Sequence, residues 1–386
     1  MAHYTLMTQL THLGNIPVET FIKDYWQQKP LLIRQAFPDY QSPISADELA
    51  GLALEDEIES RIIIEHGKTP WELLRGPFDE TVFSQLPKSQ WTLLVQSVDQ
   101  WLPEIAELLD HFRFIPNWRL DDIMISYATD GGSVGPHYDQ YDVFLLQAQG
   151  KRHWQIGQMC NQQSPCLEGT ELHILQEFHR TDDWVLEPGD MLYLPPQLAH
   201  LGQAVGDDCM TFSVGFRAPS HADLLTDFME EQLSELTEDD RFGDAGFDFN
   251  PNCGEISEQA IEQVKAILTS KLSDTAAIRQ WFGRYMTTPK EPSDGFSELE
   301  DLPPLEIQPI PYRRNPQMRF AYSIHGSDQA LLFINGEQFS VSPTLARLLG
   351  DHSEISGLQL QDLYLNSEDS DLIGFFLEND ILYPDV

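Results

Sequence analysis

The chain has 386 residues, 41% of them apolar, and carries 23 Lys plus Arg against 62 Asp plus Glu, a formal charge of −39. At roughly 150 residues per domain this length gives two or three domains with ample core, which excludes disorder throughout. So large an acidic excess repels phosphate backbones and anionic lipid, and it points to a basic partner rather than to nucleic acid.

The first ten residues, MAHYTLMTQL, have neither a basic n-region nor a sustained apolar stretch, and nowhere does an uncharged apolar run approach the ~18 residues of a membrane span. A cytoplasmic protein is expected. Cys160, Cys166, Cys209 and Cys253 fit neither a dense disulfide framework nor a CxxC knuckle. Free thiols are the simpler expectation, with a Cys160–Cys166 pairing or metal site as the alternative.

Residues 16–27 repeat apolar side chains at helical spacing, and Lys29-Pro30 ends that pattern ahead of a strand-like Leu31–Ile33. A second short helix is predicted from the Ser45 cap, an aliphatic run occupies 61–65, and 91–109 reads as an amphipathic helix. From about Leu120 the period changes to two. Seven short strands are predicted, at 123–129, 141–148, 151–157, 183–186, 191–195, 199–205 and 209–217, and their spacing argues for an antiparallel sandwich or barrel.

Beyond Pro219 a helical stripe of Leu224, Leu225, Phe228, Met229 and Leu233 follows the Ser220 cap, with further helices predicted over 255–270 and 274–287. These stripes fit a dimer interface or packing within the chain. Residues 288–304 hold four prolines without periodicity and mark the domain boundary. A hairpin with an Asn335-Gly336 turn follows, then helices over 342–349, 357–364 and 368–378, the inventory of a winged helix-turn-helix. Residues 301–386 contain four Arg, no Lys and thirteen Asp plus Glu, so this module reads as an interaction or structural element rather than a DNA reader. There is no internal repeat.

The sharpest chemical signal is 131–139 (GGSVGPHYD), followed by 188–200 (PGDMLYLPPQLAH). In extended backbone residues i and i+2 share a face, so His137 and Asp139 can address one ion while His200 arrives from a later strand. Two imidazoles and a carboxylate on one face of an octahedron are the donor set of a non-haem Fe(II) site with three positions open. An isolated HxD is more often surface polarity; the glycine-rich entry and the second, well-spaced His favour metal. Arg152 shares the strand parity of Trp154 and Ile156 and is therefore aimed inward. A buried guanidinium needs an anion, which a dicarboxylate cosubstrate or an internal aspartate would supply.

The 118–154 segment, the PGDMLYLPPQLAH turn and 212–219 (FSVGFRAP) resemble the JmjC-type 2-oxoglutarate oxygenases, and within them the bacterial ribosomal oxygenases that hydroxylate an arginine of a large-subunit ribosomal protein. The resemblance runs along nearly the whole chain. It implies an α+β architecture: a double-stranded β-helix (cupin/JmjC jelly roll) with N-terminal helices over 1–218, a helical dimerisation segment over 219–290, a linker over 291–304 and a winged-helix-like domain over 305–386. It makes His137, Asp139 and His200 the iron ligands and Arg152 the anchor for the distal carboxylate of 2-oxoglutarate, with dioxygen as second cosubstrate. Thr211 and Ser126 would add hydrogen bonds to that cosubstrate. Tyr141 would line the substrate channel or pack as an ordinary aromatic, and Asp130 and Asp142 near the mouth would attract a guanidinium or remain solvated. The implied activity is hydroxylation at the β-carbon of an arginine in a basic ribosomal protein by a homodimer with no membrane or nucleic-acid partner. Three rivals share parts of the pattern: a JmjC demethylase, which would release formaldehyde; a non-enzymatic metal-binding cupin; and a transcription factor built on the C-terminal module.

Overall fold

The computed structural model describes residues 10–290, 295–297 and 306–385. The reading of the extreme N-terminus and most of the 291–304 linker lie outside them. The chain divides into two compact units, Met1–Ala218 and Pro219–Val386.

In the first unit a short hairpin, β1 (His12–Leu13) and β2 (Ile16–Pro17), leads into α1 (Val18–Asp24) and β3 (Leu31–Ile33). Helix α2 (Ala46–Leu52) begins at Ser45, whose hydroxyl accepts from Glu48 N–H while the Glu48 carboxylate accepts from Ser45 N–H, a reciprocal cap that fixes the start of a seven-residue helix. Then come β4 (Ser60–His66), β5 (Pro70–Arg75), α3 (Glu80–Gln85), β6 (Trp91–Val95), α4 (Pro103–Leu109), β7 (Leu120–Ala128), β8 (Val143–Met159), β9 (Asp182–Leu186), β10 (Met191–Leu194) and β11 (Leu198–Phe216). Among the described residues these strands form a nine-stranded antiparallel sheet in the order β3-β10-β8-β11-β7-β6-β4-β5, with β9 joining β8.

Two of its strands differ from the sequence expectation in length. The segments 141–148 and 151–157 are one 17-residue strand, and 199–205 and 209–217 one 19-residue strand, because the glycine-containing breaks between them are irregularities inside a continuous ladder. The 91–109 helix is corrected more deeply. Trp91–Val95 is a strand inserted between β4 and β7, and only Pro103–Leu109 is α-helical. A short, mostly apolar run fits either period, so burial between two strands decides it.

Alternate residues of β8 serve different layers. Phe144, Leu146 and Ala148 join a core with Phe21, Leu49 and Phe112, whereas Val143, Leu145, Trp154 and Ile156 join Leu186, Leu192, Leu194 and Leu198 on the other side.

The second unit carries α5 (His221–Ser234), α6 (Glu258–Leu272) and α7 (Thr275–Thr287), then β12 (Pro311–Arg314), β13 (Phe320–His325), β14 (Gln329–Ile334), β15 (Glu337–Val341), α8 (Pro343–Asp351), β16 (Glu354–Ser356), α9 (Gly357–Asn366), α10 (Ser370–Glu378) and β17 (Leu382–Pro384). The β14–β15 turn has Asn335 at φ 47° and Gly336 at φ 85°, the two left-handed residues of a type I′ hairpin. Helix α7 lies against the β13–β15 sheet: Gly283 sits so close to the Phe333 ring that a Cβ would overlap it, and Arg279 donates to Ser323 Oγ at 2.7 Å. Helix α6 buries no residue.

Candidate active site

The 131–137 loop runs beside β11. His137 N–H donates to His200 O at 3.0 Å and His200 N–H to His137 O at 2.8 Å, a bridge that sets the two imidazoles 4.2 Å apart between centroids. Gln197 N–H donates to Asp139 O at 2.7 Å, which holds the HxD segment along the start of the same strand. Ligand atoms of His137, Asp139 and His200 all lie within 4.8 Å of one another, and His200 Nε2 is 3.6 Å from Asp139 Oδ2.

Each imidazole is oriented by its own backbone. His137 Nδ1 is 2.9 Å from Gly135 O, and His200 Nδ1 is 2.9 Å from Leu198 O. A carbonyl only accepts, so both protons reside on Nδ1 and both Nε2 lone pairs are free to bind metal. Burial, then the neighbouring His137, pull the His200 pKa down to about 4, with Asp139 offsetting part of the effect, so this ring is a neutral donor at physiological pH. Two imidazole nitrogens and one carboxylate oxygen fit a divalent transition metal that prefers mixed nitrogen and oxygen donors.

Arg152 lies on β8, 2% exposed, opposite Ala204 of β11. Its Nη1 donates to Ser126 Oγ at 3.3 Å and its Nη2 to Gly202 O at 3.5 Å, while Nε has no acceptor. Among the described residues no carboxylate lies within ion-pair distance of it, which removes the internal aspartate weighed as its alternative partner. Burial pulls its pKa below the ordinary arginine range, an effect the adjacent Cys209 thiol partly offsets. A buried guanidinium with long contacts to neutral groups and one orphaned donor fits an incoming carboxylate. Ser126 and Thr211 face each other across the β7–β11 ladder, both nearly fully buried, and Thr211 donates to Gln147 Oε1 at 3.1 Å.

The chain is similar to known proteins over both units. A family model for the JmjC domain matches residues 107–224, and one for a ROXA-like winged helix matches 270–383. The ribosomal protein uL16 3-hydroxylase of Escherichia coli is 34% identical over 284 residues, covering 74% of this chain and 73% of that protein. The chain belongs to the JmjC-domain ribosomal oxygenases. It is thus an enzyme of the 2-oxoglutarate-dependent hydroxylase class. A probable ribosomal oxygenase of Haemophilus influenzae is 35% identical over 277 residues, covering 69% of this chain and 67% of that protein. The structure of YcfD, a ribosomal oxygenase from Escherichia coli, in complex with cobalt and 2-oxoglutarate superposes with a TM-score of 0.81 at 28% identity, over 97% of this chain and 99% of that one.

Within this oxygenase not every expected residue sits at the site. Asp142 is fully buried and accepts from Tyr193 Oη at 2.6 Å, Gln27 Nε2 at 2.9 Å and Arg119 Nη2 at 3.1 Å, so it is a saturated node of the fold rather than a group at the mouth. Asp130 is exposed, and its carboxylate accepts from Gly206 N–H at 2.7 Å, closing the turn inside β11. Tyr141 is 43% exposed, and desolvation, then the carboxylates of Asp139, Asp122 and Asp121, push its phenol above the ordinary range. All four cysteines are free thiols. Sequence reasoning missed Gly202, where a Cβ would lie 2.7 Å from Arg152 Nε and 2.6 Å from the Trp154 ring. A missing side chain two residues beyond His200, on the face an inward arginine must share, was the available signal.

Proposed function

We propose that this oxygenase hydroxylates the β-carbon of an arginine in a basic protein of the large ribosomal subunit, using Fe(II), 2-oxoglutarate and dioxygen. In this reading His137, Asp139 and His200 hold the iron, Arg152 anchors the distal carboxylate of 2-oxoglutarate, and Ser126 and Thr211 line that end of the cosubstrate cradle. The carrying observation is the buried guanidinium of Arg152, without a carboxylate partner, on the strand that pairs with the His200 strand.

Iron in such a site couples oxidative decarboxylation of 2-oxoglutarate, to succinate and carbon dioxide, with insertion of one oxygen atom into a C–H bond. The residues of this chain bind, orient and exclude water. The imidazoles of His137 and His200 would hold the metal, and the planar fork of Arg152 suits the cosubstrate carboxylate bidentately. Trp154, Ile156, Leu192 and Leu194 close one side of the barrel against solvent. In this reading Tyr141, which is partly exposed, lines the channel by which the substrate side chain enters.

The substrate class is supported by the names of the relatives. The Escherichia coli enzyme is named a uL16 3-hydroxylase, and carbon 3 of an amino acid is the β-carbon. A charge of −39 favours encounter with a cationic ribosomal protein and disfavours nucleic acid, and a ribosomal target implies a cytoplasmic workplace. The chain is further read as a homodimer through its helical segment. Ile261, Val264 and Leu268 of α6 repeat at helical spacing, each 44% to 52% exposed, alongside Leu225 and Leu233 of α5 at 56% and 58%.

The test is mass spectrometry of ribosomal proteins incubated with this protein, Fe(II) and 2-oxoglutarate. The expected result is a gain of one oxygen atom on a single arginine, together with succinate. Formaldehyde release without oxygen gain would replace the hydroxylase reading with a demethylase.

A further inference from the structure

We infer that Trp71, together with Ile174, is a positioning residue of the metal centre that acts through Gly135 on His137. The inference rests on the reading of His137 as a metal ligand. The two histidines are oriented in unequal ways. The carbonyl that receives His200 Nδ1–H is Leu198 O, at the head of a 19-residue strand paired with β8. The carbonyl that receives His137 Nδ1–H is Gly135 O, in an irregular loop, and such a carbonyl holds its direction only if something outside the loop restrains it.

Two segments remote in sequence, together with Ser133 of the loop itself, supply the restraint. A Cβ on Gly135 would stand 2.5 Å from Ile174 Cδ1 and 3.2 Å from Trp71 Cη2, so these side chains close directly over the peptide, and Gly135 itself is at φ +80°. Leu175 N–H donates to Pro136 O at 2.8 Å, and Ser133 Oγ accepts from Gly135 N–H at 3.1 Å. Arg75 and Glu171, 2.8 Å apart, link the strand that carries Trp71 to the loop that carries Ile174. Trp71 has φ 56°, a left-handed conformation that a bulky residue adopts only where its surroundings impose it. Strand β5 is the outermost strand of the sheet, so the ladder does not require an aromatic ring at this position; the ring's neighbour at Gly135 accounts for it. The clamp fixes the Gly135 peptide, the peptide fixes the His137 ring plane, and the ring plane directs Nε2 at the ion.

The test is Co(II) binding followed by visible absorption in wild type and in Trp71→Ala, Trp71→Phe, Ile174→Ala and His137→Ala. The expected result is that Trp71→Ala keeps wild-type circular dichroism, binds Co(II) roughly tenfold or more weakly and shows an altered ligand-field band, as loss of an outer orienting group does. Trp71→Phe, which retains an aromatic ring over Gly135, restores binding, and Ile174→Ala behaves as Trp71→Ala does. A folded Trp71→Ala that binds Co(II) with wild-type affinity and spectrum overturns the inference. If Trp71→Ala does not fold, Ile174→Ala decides by the same criterion. Wild type that binds no Co(II), or His137→Ala that binds it unchanged, would instead remove the metal reading on which the clamp depends.

Discussion

Replacing Arg152 by methionine separates what this residue does for the cosubstrate from what it does for the fold, because the two effects have opposite signs. The guanidinium is 2% exposed, its two hydrogen bonds are long at 3.3 Å and 3.5 Å, and Nε has no partner. Methionine fills similar volume and brings no charge. In the cosubstrate-free protein it relieves an unpaired buried charge, a change worth about 1–4 kcal/mol in favour of the fold. The lost stacking over Trp154, 5.2 Å from the guanidinium carbon, gives back about 0.5–2 kcal/mol. The expected net is stabilisation, read as a rise in melting temperature of about 2–4 °C per kcal/mol for a unit of this size. Toward 2-oxoglutarate the same change deletes one partner of a desolvated charge pair, which costs about 2–5 kcal/mol, or roughly 30-fold to a few thousand-fold in affinity. The assays are thermal unfolding of the metal-free protein and calorimetric titration of 2-oxoglutarate in the presence of a divalent metal. A variant that melts earlier than wild type and still binds 2-oxoglutarate with wild-type affinity would refute both halves of the reasoning and return Arg152 to an internal structural role.

Two further outcomes discriminate structural from functional residues. Asp142→Asn offers one acceptor oxygen where the carboxylate offers two, so it cannot serve both Tyr193 Oη on Oδ1 and Gln27 Nε2 on Oδ2, and it leaves Arg119 without its charge partner; the urea midpoint should correspond to about 3–5 kcal/mol less stability while KM for the protein substrate stays unchanged in the folded fraction. Ile261→Glu combined with Leu268→Glu places charge on the exposed stripe of α6, where no side chain is buried, and light scattering should report a monomer with unaltered helicity; an unchanged mass would move the dimer contact elsewhere.

The barrel was legible in sequence because its short apolar runs are bounded by Gly, Pro and Asp. Phe144 and Leu146 alternate with Val143 and Leu145 between two cores, and period two survives that. It failed at Trp91–Val95, which is covered on both sides and whose one polar residue, Thr92, is buried like its neighbours and marks no solvent face. It also misplaced the ends of β8 and β11, because Gly150 and the Gly206-Asp207-Asp208 turn carry the composition of a loop while lying inside continuous ladders. At the site the same distinction holds. His137 and Asp139 share a face by strand parity alone, and Arg152 follows from its neighbours Trp154 and Ile156. The acceptor duties of Asp142 are set by Gln27, Arg119 and Tyr193, which lie 115, 23 and 51 positions away, and no local pattern announces such partners. A carboxylate near a motif in sequence is therefore a poor guide to a carboxylate near the site in space.

The irregularity inside β11 gives the candidate cosubstrate cradle its shape. Val205 pairs with Lys151 and Met210 with Gln149, so β11 advances five residues while β8 advances two. The extra length is absorbed in the turn that Asp130 closes through Gly206 N–H. Had the ladder run without this bulge, the residue facing Gln147 of β8 would come from a different position of β11. Instead Thr211 faces Gln147 on one side and Ser126 of β7 on the other, within a short span of the Arg152–Ala204 pair. The bulge thus brings a hydroxyl of β7 to the guanidinium of β8, at 3.3 Å, across the strand that also carries His200. Bulges of this kind re-aim side chains beside functional sites. Asp130 then has a place compatible with its exposure: its carboxylate accepts from Gly206 N–H in the turn that absorbs the extra residues of β11.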